Sequence, residues 1–398
     1  MSGSPPGDPL AFDRLRAQVM GDEAVQLELS RIDEAERFAE RAAEIAAGIG
    51  AGLSREFILA ALRPDPLRLM RGFPPVITSA WPSRHWLPSQ VSTSFDGAVG
   101  VDWVHLGGER LVQPFFEQSL SRALGRPFNR MFGYRTTLSD FIAGARADEA
   151  PAPDGFIFHM SRCGSTLVAQ MLAALPSHIV VSEAAPLDAA VQLDRGAPPL
   201  AADGHAGALA AMVAALGRRR FGGERHYVLK LDAWHTLALP LFRRVFPQVP
   251  WVFLYRDPIE VLVSQMAEPG MQMIPNALAS FPFGIENGAE LAREEHCARV
   301  LEKICAAALD NLGFGGGLVV NYDELPEAVR QKILPHFGIG CSAEEEAAMR
   351  AAAGRDAKAP YVEFVSDADA KQRRATDRVR AAARRHLDGV YGALQAMR

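Results

Sequence analysis

Apolar positions run through the first part of the chain at helical steps. From about Asp13 to Ile49 they recur mostly three and four residues apart, as at Leu27, Ile32, Ala35, Phe38, Ala42 and Ile45, which predicts helix. Gly48 and Gly50 end that pattern, and Ser54 is placed to cap a further short helix with Phe57, Ile58, Ala61 and Leu62 inward. Residues 64–100 change character, because Pro64, Pro66, Pro74, Pro75, Pro82 and Pro88 break any long helix. Trp81, Trp86 and Trp103 fall in or near this irregular stretch, and another helix over about Leu111 to Leu124 carries Phe115 and Phe116. Residues 1–150 therefore read as a mainly helical accessory domain whose aromatic residues form its core, with residues 1–10 disordered.

Pro151 and Pro153 mark a boundary, after which the pattern alternates between apolar runs and amphipathic segments. Strands are expected at Gly155–His159, Ile179–Val181, Tyr227–Leu231, Val252–Tyr255 and Leu318–Asn321. Helices are expected at Ser165–Leu175, 206–216, 237–246, Ile259–Met266, 289–312 and, last, 371–394. Such alternation predicts an α/β fold for residues 151–398, a three-layer sandwich about a central, mostly parallel sheet. Ligands of these sheets sit beyond the carboxyl ends of the strands, which points to His159, Leu231, Tyr255 and Asn321. Residues 267–288, with Gly270, Pro275, Pro282, Gly284 and Gly288 among methionines and phenylalanines, read as an irregular lid.

Composition narrows the function classes. The 398 residues are 48% hydrophobic and 22% charged, with a net charge of −5, which fits a globular chain and gives no global attraction to nucleic acid. No apolar run is long enough for a membrane span and no signal peptide is visible, so a cytoplasmic protein is expected. Cys163, Cys297, Cys305 and Cys341 lack CxxC spacing and read as buried free thiols. The histidines show no HExxH or other clustered ligand pattern, so no catalytic metal is expected. No feature decides the oligomeric state.

The chemistry concentrates in Phe156–Leu167, FIFHMSRCGSTL, an apolar run that ends in a turn of small residues and opens a helix. Backbone N–H groups at such a helix start face an anion, and the helix dipole adds to the attraction. Gly164 lets the backbone approach an oxyanion, the N–H groups of Cys163 to Thr166 can surround a phosphate, Ser165 and Thr166 add hydroxyls, and Arg162 adds a guanidinium. No lysine precedes Ser165, so this is not a Walker A loop with its magnesium-bound triphosphate. A second strand–turn–helix, Trp251–Ser264, places Arg256 at the strand end and Ser264 eight residues on, where both can converge on one dianion. Asp257 and Pro258 fit the cap and first turn of that helix. Lys230, near a neighbouring strand end, can join the cationic cluster, and Asp232 and His235 follow it as candidate proton acceptors.

The turn at Ser161–Thr166 resembles the 5′-phosphosulfate loop of the PAPS-dependent P-loop sulfotransferases, with Ser161 where that family usually has proline and Cys163 where it usually has serine. Arg256 and Ser264 resemble the family's 3′-phosphate motif, and Asn321–Leu325 its late tyrosine–acid–acid–leucine run. The match covers roughly residues 153–340, nearest in motif style to the protein-tyrosine sulfotransferase branch. The resemblance implies transfer of a sulfuryl group from PAPS to a hydroxyl or amine of a small-molecule or peptide acceptor, leaving PAP. It also implies that Glu183 aligns with the catalytic glutamate of that branch, and that a basic C-terminal segment, here Lys358 or Lys371, folds over the 3′-phosphate. Asp232 stands where many cytosolic members carry the catalytic histidine, so Glu183, Asp232 and His235 all remain candidates for the base. The alternatives are an unusual small-molecule kinase and a non-catalytic nucleotide-binding relative.

Overall fold

The fold comes from a computed structural model that describes residues 9–63, 73–94, 97–148, 150–193, 202–278, 281, 283–359, 361–362 and 367–398. Pro64, Pro66, Pro282 and residues 1–8 lie outside the described residues. Two sheets organise the chain. The first joins β1 (Val76–Ile77), β2 (Trp86–Thr93), β3 (Val99–His105) and β4 (Tyr134–Thr137) in the order β1-β4-β3-β2. The second joins β5 (Gly155–His159), β6 (His178–Ser182), β7 (His226–Lys230), β8 (Trp251–Tyr255) and β9 (Gly317–Asn321) in the order β6-β7-β5-β8-β9. Every pairing in the second sheet is parallel. All residues of β5, β6 and β8 are buried, so both faces of those strands are covered.

The first sheet departs from the expected helical accessory domain. Helices do dominate residues 9–147, but Trp86 and Trp103 sit on β2 and β3 rather than in an irregular stretch. Pro88 is the reason, because proline argues against a strand interior. Here it lies on the edge strand, at a register shift between Pro88 and Gln90, where a missing N–H is tolerated. Trp86, Trp103 and Phe116 are buried, as expected of a core. One hydrophobic cluster runs from Ala11 to Leu394 and joins both halves of the chain. Arg110 reinforces that join by donating to the carbonyls of Ala173 and Leu175 at 3.0 and 2.6 Å.

Two long helical predictions break into pieces at polar caps. The stretch Asp13–Ile49 is three helices, Pro9–Gly21, Glu23–Ser30 and Ala35–Gly48. Asp22 starts the second by accepting from the N–H groups of Ala24 and Val25 at 2.9 and 3.2 Å. The final helix is likewise three, Ala368–Arg374, Asp377–His386 and Asp388–Ala396, and Thr376 caps the second. The predicted helix over 237–246 opens instead as a 3₁₀ turn at Ala233–Ala238, before helix Leu239–Val245. The predicted helices over 111–124 and 289–312 start later, at Phe116 and Arg293. Cys341 is exposed, whereas Cys163, Cys297 and Cys305 are buried free thiols as expected. Among the described residues no helix is long and apolar enough to cross a membrane.

Candidate functional site

Strand order determines where the chemistry collects. β5 lies between β7 and β8, so its carboxyl end is flanked by Lys230 of β7 and by Arg256 just after β8. Register keeps these ends level: Ile157 pairs with Lys230, His159 with Leu254, and Ser182 with Lys230. A cavity of about 770 Å³ opens above them. Arg162, Cys163, Gly164, Ser165, Thr166, Glu183, Asp232, Arg256, Ser264, Lys358 and Lys371 all line it. Lys230 and His235 are buried and are not among its lining residues.

The loop after β5 has a special backbone. Ser161, Arg162 and Gly164 all have positive φ, of 78°, 54° and 84°. His159 supports that shape. Its Nδ1 accepts from the Ser161 N–H at 3.1 Å, which leaves Nε2 protonated to donate to the Leu231 carbonyl at 2.9 Å. Burial pushes the His159 pKa down, so the ring is a neutral strut. Gly164 precedes helix Ser165–Ala173, which has no side-chain cap, so its first N–H groups can serve a ligand. Cys163 points its thiol at the Leu254 carbonyl, 3.1 Å away, and burial pushes that thiol up to about 12, so it is not a nucleophile.

The three motifs meet at Gly164. A Cβ there would stand 2.7 Å from Leu325 Cδ1 and 2.8 Å from Tyr322 Cδ2. The same Tyr322 ring lies 3.9 Å from the Arg256 guanidinium. Tyr322 is thus a spacer between the loop and the arginine. If the loop holds a phosphate as the resemblance implies, Gly164→Val should abolish PAP binding, and it should cost about 1–3 kcal/mol of stability, since it adds both a clash and left-handed strain. Paired thermal melts and PAP titrations check this, and unchanged binding would contradict the loop assignment.

Arg256 is 5% exposed. It donates Nε to Glu260 at 2.6 Å and Nη2 to Asp367 at 3.0 Å. The other oxygen of Asp367 is 2.7 Å from Lys371 Nζ. A carboxylate therefore bridges Arg256 and Lys371, cations that the resemblance offers to a phosphate. Ser264 is half-buried in the helix Pro258–Ala267, capped by Asp257 with Pro258 in its first turn. Arg162 turns outward to Glu268, donating to its carbonyl and carboxylate at 2.7 and 2.9 Å. Burial, and then the charge of Arg162, lowers the Lys358 pKa, as befits a cation facing a positive pocket.

Lys230, at the end of β7, is fully buried. Its ammonium donates to Glu183 and lies 3.5 Å from Thr166 Oγ1. Glu183 has φ 51° and also lies 3.4 Å from His159 Nε2. Burial alone would raise the Glu183 pKa, but the Lys230 charge and the His159 hydrogen bond hold this carboxyl well below the usual range. Asp232 behaves in the opposite sense: burial, then Glu183 and Asp188, push its carboxyl well above the usual range, which favours its protonated form. His235 has no free lone pair for a proton. Its Nε2 is 2.8 Å from Asp188 and its Nδ1 accepts from the Asp232 N–H at 3.3 Å.

Asp188, Asp232 and His235 place ligand atoms within 4.8 Å of one another, a cluster that sequence spacing does not reveal. Asp188, Trp234 and Glu117 line the cavity and also escape sequence reasoning, and Phe115, expected in the accessory core, lines it too. Asp188 lies inside a helix with no motif around it, and Phe115 and Glu117 come from the accessory region, so only the tertiary fold brings them in.

Asp232 also makes a stability prediction. Its folded pKa is raised, so the folded state holds a proton that the unfolded chain has released, and stability falls as pH rises from the ordinary aspartate pKa towards the folded one. Asp232→Asn removes that titration. The variant should be the more stable protein at pH 8, by about 1.4 kcal/mol for every pH unit over which the wild-type fold keeps that extra proton, and should converge with wild type near pH 4. Denaturant melts at both pH values measure it; a variant less stable at pH 8 would show Asp232 to be ionised.

Comparison with known proteins adds little. No family model matches the chain, and no curated protein does. Among solved structures, a sulfotransferase from Mycobacterium avium aligns with 13% identity and a TM-score of 0.36 over 63% of this chain and 81% of that one. The sulfotransferase domain of a Synechococcus olefin synthase gives 16% and 0.36 over 61% and 97%. A sulfotransferase from Alicyclobacillus acidocaldarius gives 14% and 0.35 over 62% and 99%. Likenesses of this depth carry no function from those proteins to this chain.

Proposed function

We propose that this chain is a sulfotransferase that takes a sulfuryl group from PAPS, transfers it to a hydroxyl acceptor and releases PAP. The observation that carries this reading is the convergence of two separate anion sites on one cavity. One is the uncapped helix start after β5; the other is the Arg256–Lys371 pair beside it. A nucleotide with phosphate on both its 5′ and 3′ sides needs both. A triphosphate held through magnesium needs a loop lysine that Ser161–Thr166 lacks.

In this reading PAPS supplies the sulfuryl group. The N–H groups from Cys163 to Thr166 hold its 5′-phosphate side, and Arg256, Ser264 and Lys371 hold its 3′-phosphate, displacing the Asp367 carboxylate. Lys230, with Lys358 from the facing segment, neutralises charge on the sulfonate and the departing 5′-phosphate oxygen. As the acceptor oxygen bonds to sulfur and the old sulfur–oxygen bond breaks, Glu183 takes the acceptor's proton. Glu183 is a weak base while Lys230 holds it. Drawing that ammonium towards the leaving phosphate raises the basicity of Glu183 when a base is needed. His159 keeps Glu183 in place. Glu183, aligned with the glutamate of the protein-tyrosine branch, fits this role better than Asp232, whose carboxyl burial pushes upward, or His235, whose two ring nitrogens are already engaged.

Incubation with sulfur-35-labelled PAPS and a panel of phenols, alcohols and hydroxyl-bearing peptides tests the reading. Labelled acceptor with stoichiometric PAP is expected. Intact PAPS with every acceptor, together with no PAP binding, would overturn it.

A further inference from the structure

Both charge signs line the cavity. Arg162, Arg256, Arg355, Lys358 and Lys371 are its cations. Two of its acids are occupied: Asp367 holds Arg256 and Lys371, and Asp356 accepts the N–H groups of Lys358 and Ala359 at 2.9 Å each. Glu117, Glu183, Asp188 and Asp232 line it as well. Three of these four have partners. Glu183 is held by Lys230, Asp188 accepts from Trp234 Nε1 at 2.7 Å and from His235, and Glu117 is hydrogen-bonded to the Ala185 backbone.

Asp232 differs from them. It is 7% exposed, and among the described residues no donor hydrogen-bonds its carboxyl group. The His235 N–H, the natural donor to a capping side chain, goes to the Asp232 backbone carbonyl instead, at 3.0 Å. The nearest basic atom is His235 Nδ1 at 3.9 Å, which is already engaged by the Asp232 backbone N–H. Lys230, two residues earlier on the same side of the chain, is turned to Glu183 and Thr166. A buried carboxyl without a donor is costly unless a ligand supplies one. The ligand that suits an unpaired carboxyl is a cation, and Trp234, Met271 and Leu278 add apolar and aromatic surface to the cavity lining.

We propose that Asp232 anchors a protonated amine of the acceptor, so that the preferred acceptors are hydroxyl compounds carrying a cationic nitrogen on an apolar or aromatic body. The proposal rests on the transfer reading above and names its substrate class. An organic ammonium leaves the bonds of Glu183, Asp188 and His235 in place. A metal ion on Asp188, Asp232 and His235 would have to break the bonds from Trp234 and His235 to Asp188 and the bond from the Asp232 N–H to His235. When the ammonium binds, any proton on the Asp232 carboxyl leaves to solvent and a salt bridge forms. The charged groups around it, Glu183, Asp188, Glu117, His235 and Lys230, keep the partners described.

The test uses the full-length protein, PAPS and two phenols of equal length, tyramine and 4-propylphenol, which differ in the terminal ammonium. Wild type should favour tyramine by about tenfold or more in kcat/KM, mostly through KM, as one charge-assisted hydrogen bond supplies. Asp232→Asn should bring that ratio towards one, and Asp232→Glu should restore part of it. Equal use of both phenols by wild type would overturn the proposal, and so would a preference that survives in the asparagine variant. The wild-type comparison stands even if a variant fails to fold. Calorimetry separates the two layers of inference. Tyramine binding that depends on Asp232, with no PAP binding and no turnover, would sink the sulfotransferase reading and leave the amine site standing. Binding of manganese that depends on Asp232, without any tyramine binding, would assign the cluster to a metal and overturn the amine.

Discussion

Arg256→Ala should lower PAP affinity at least a hundredfold. Arg256 is the buried cation at the end of β8, and its guanidinium already holds two carboxylates, Glu260 and Asp367. A phosphate that replaces Asp367 gains a bidentate, charge-assisted contact. Hydrogen bonds of that kind contribute about 1.5–3 kcal/mol each, and two of them account for a factor of a hundred or more. The substitution also frees Glu260 and removes the cation stacked on Tyr322, so a loss of about 1–3 kcal/mol in stability should accompany it. Arg256→Lys keeps the charge and loses the fork, and should recover part of the affinity. Titrations of all three proteins with PAP, after melts confirm folding, measure the effect. An alanine variant that binds PAP as wild type does would remove Arg256 from the site.

Lys230→Met should slow sulfuryl transfer by about three orders of magnitude, with a smaller change in PAP affinity. Removing one preorganised donor to a developing negative charge costs about a hundred- to a thousandfold, and here the donor is also a full charge in a buried place. A second effect must be separated from the first. Methionine leaves Glu183 without its main counter-charge, and breaking a buried pair costs about 3–5 kcal/mol of stability. The double variant Lys230→Met, Glu183→Gln removes both charges and should fold better than the single one while remaining inactive. Single-turnover assays with bound PAPS read the chemical step directly. Near-normal turnover in either variant would exclude the Lys230–Glu183 pair from the mechanism.

How much of this is legible in the sequence depends on the range of the interactions. The parallel-sheet half can be read because its five strands are short apolar runs bounded by turn residues, and the two anion motifs follow strands directly. Gly155–His159 is a strand over the expected residues, and Asp257 caps the expected helix. The first sheet is hidden by Pro88, which a bulge on an edge strand accommodates. The breaks at Asp22 and Thr376 are hidden because apolar periodicity continues across them, although both residue types are good caps. The acidic wall is the least legible part. Phe115 and Glu117 come from the accessory region, and Asp188 comes from a helix without a motif. Nothing local marks them, because their meaning lies in which strand ends they face. The position of Asp232 follows the same rule: it suggests a base, but burial among Glu183, Asp188 and Glu117 raises its carboxyl well above the usual range.

The central claim is a nucleotide site for a 3′,5′-bisphosphate. Calorimetric titration of wild-type protein with PAP, beside ATP with magnesium, tests it most directly. The account predicts tight one-to-one binding of PAP, with no need for magnesium, and little or no response to ATP with magnesium. A protein that binds ATP with magnesium and ignores PAP would contradict it and bring a phosphoryl-transfer enzyme to the front.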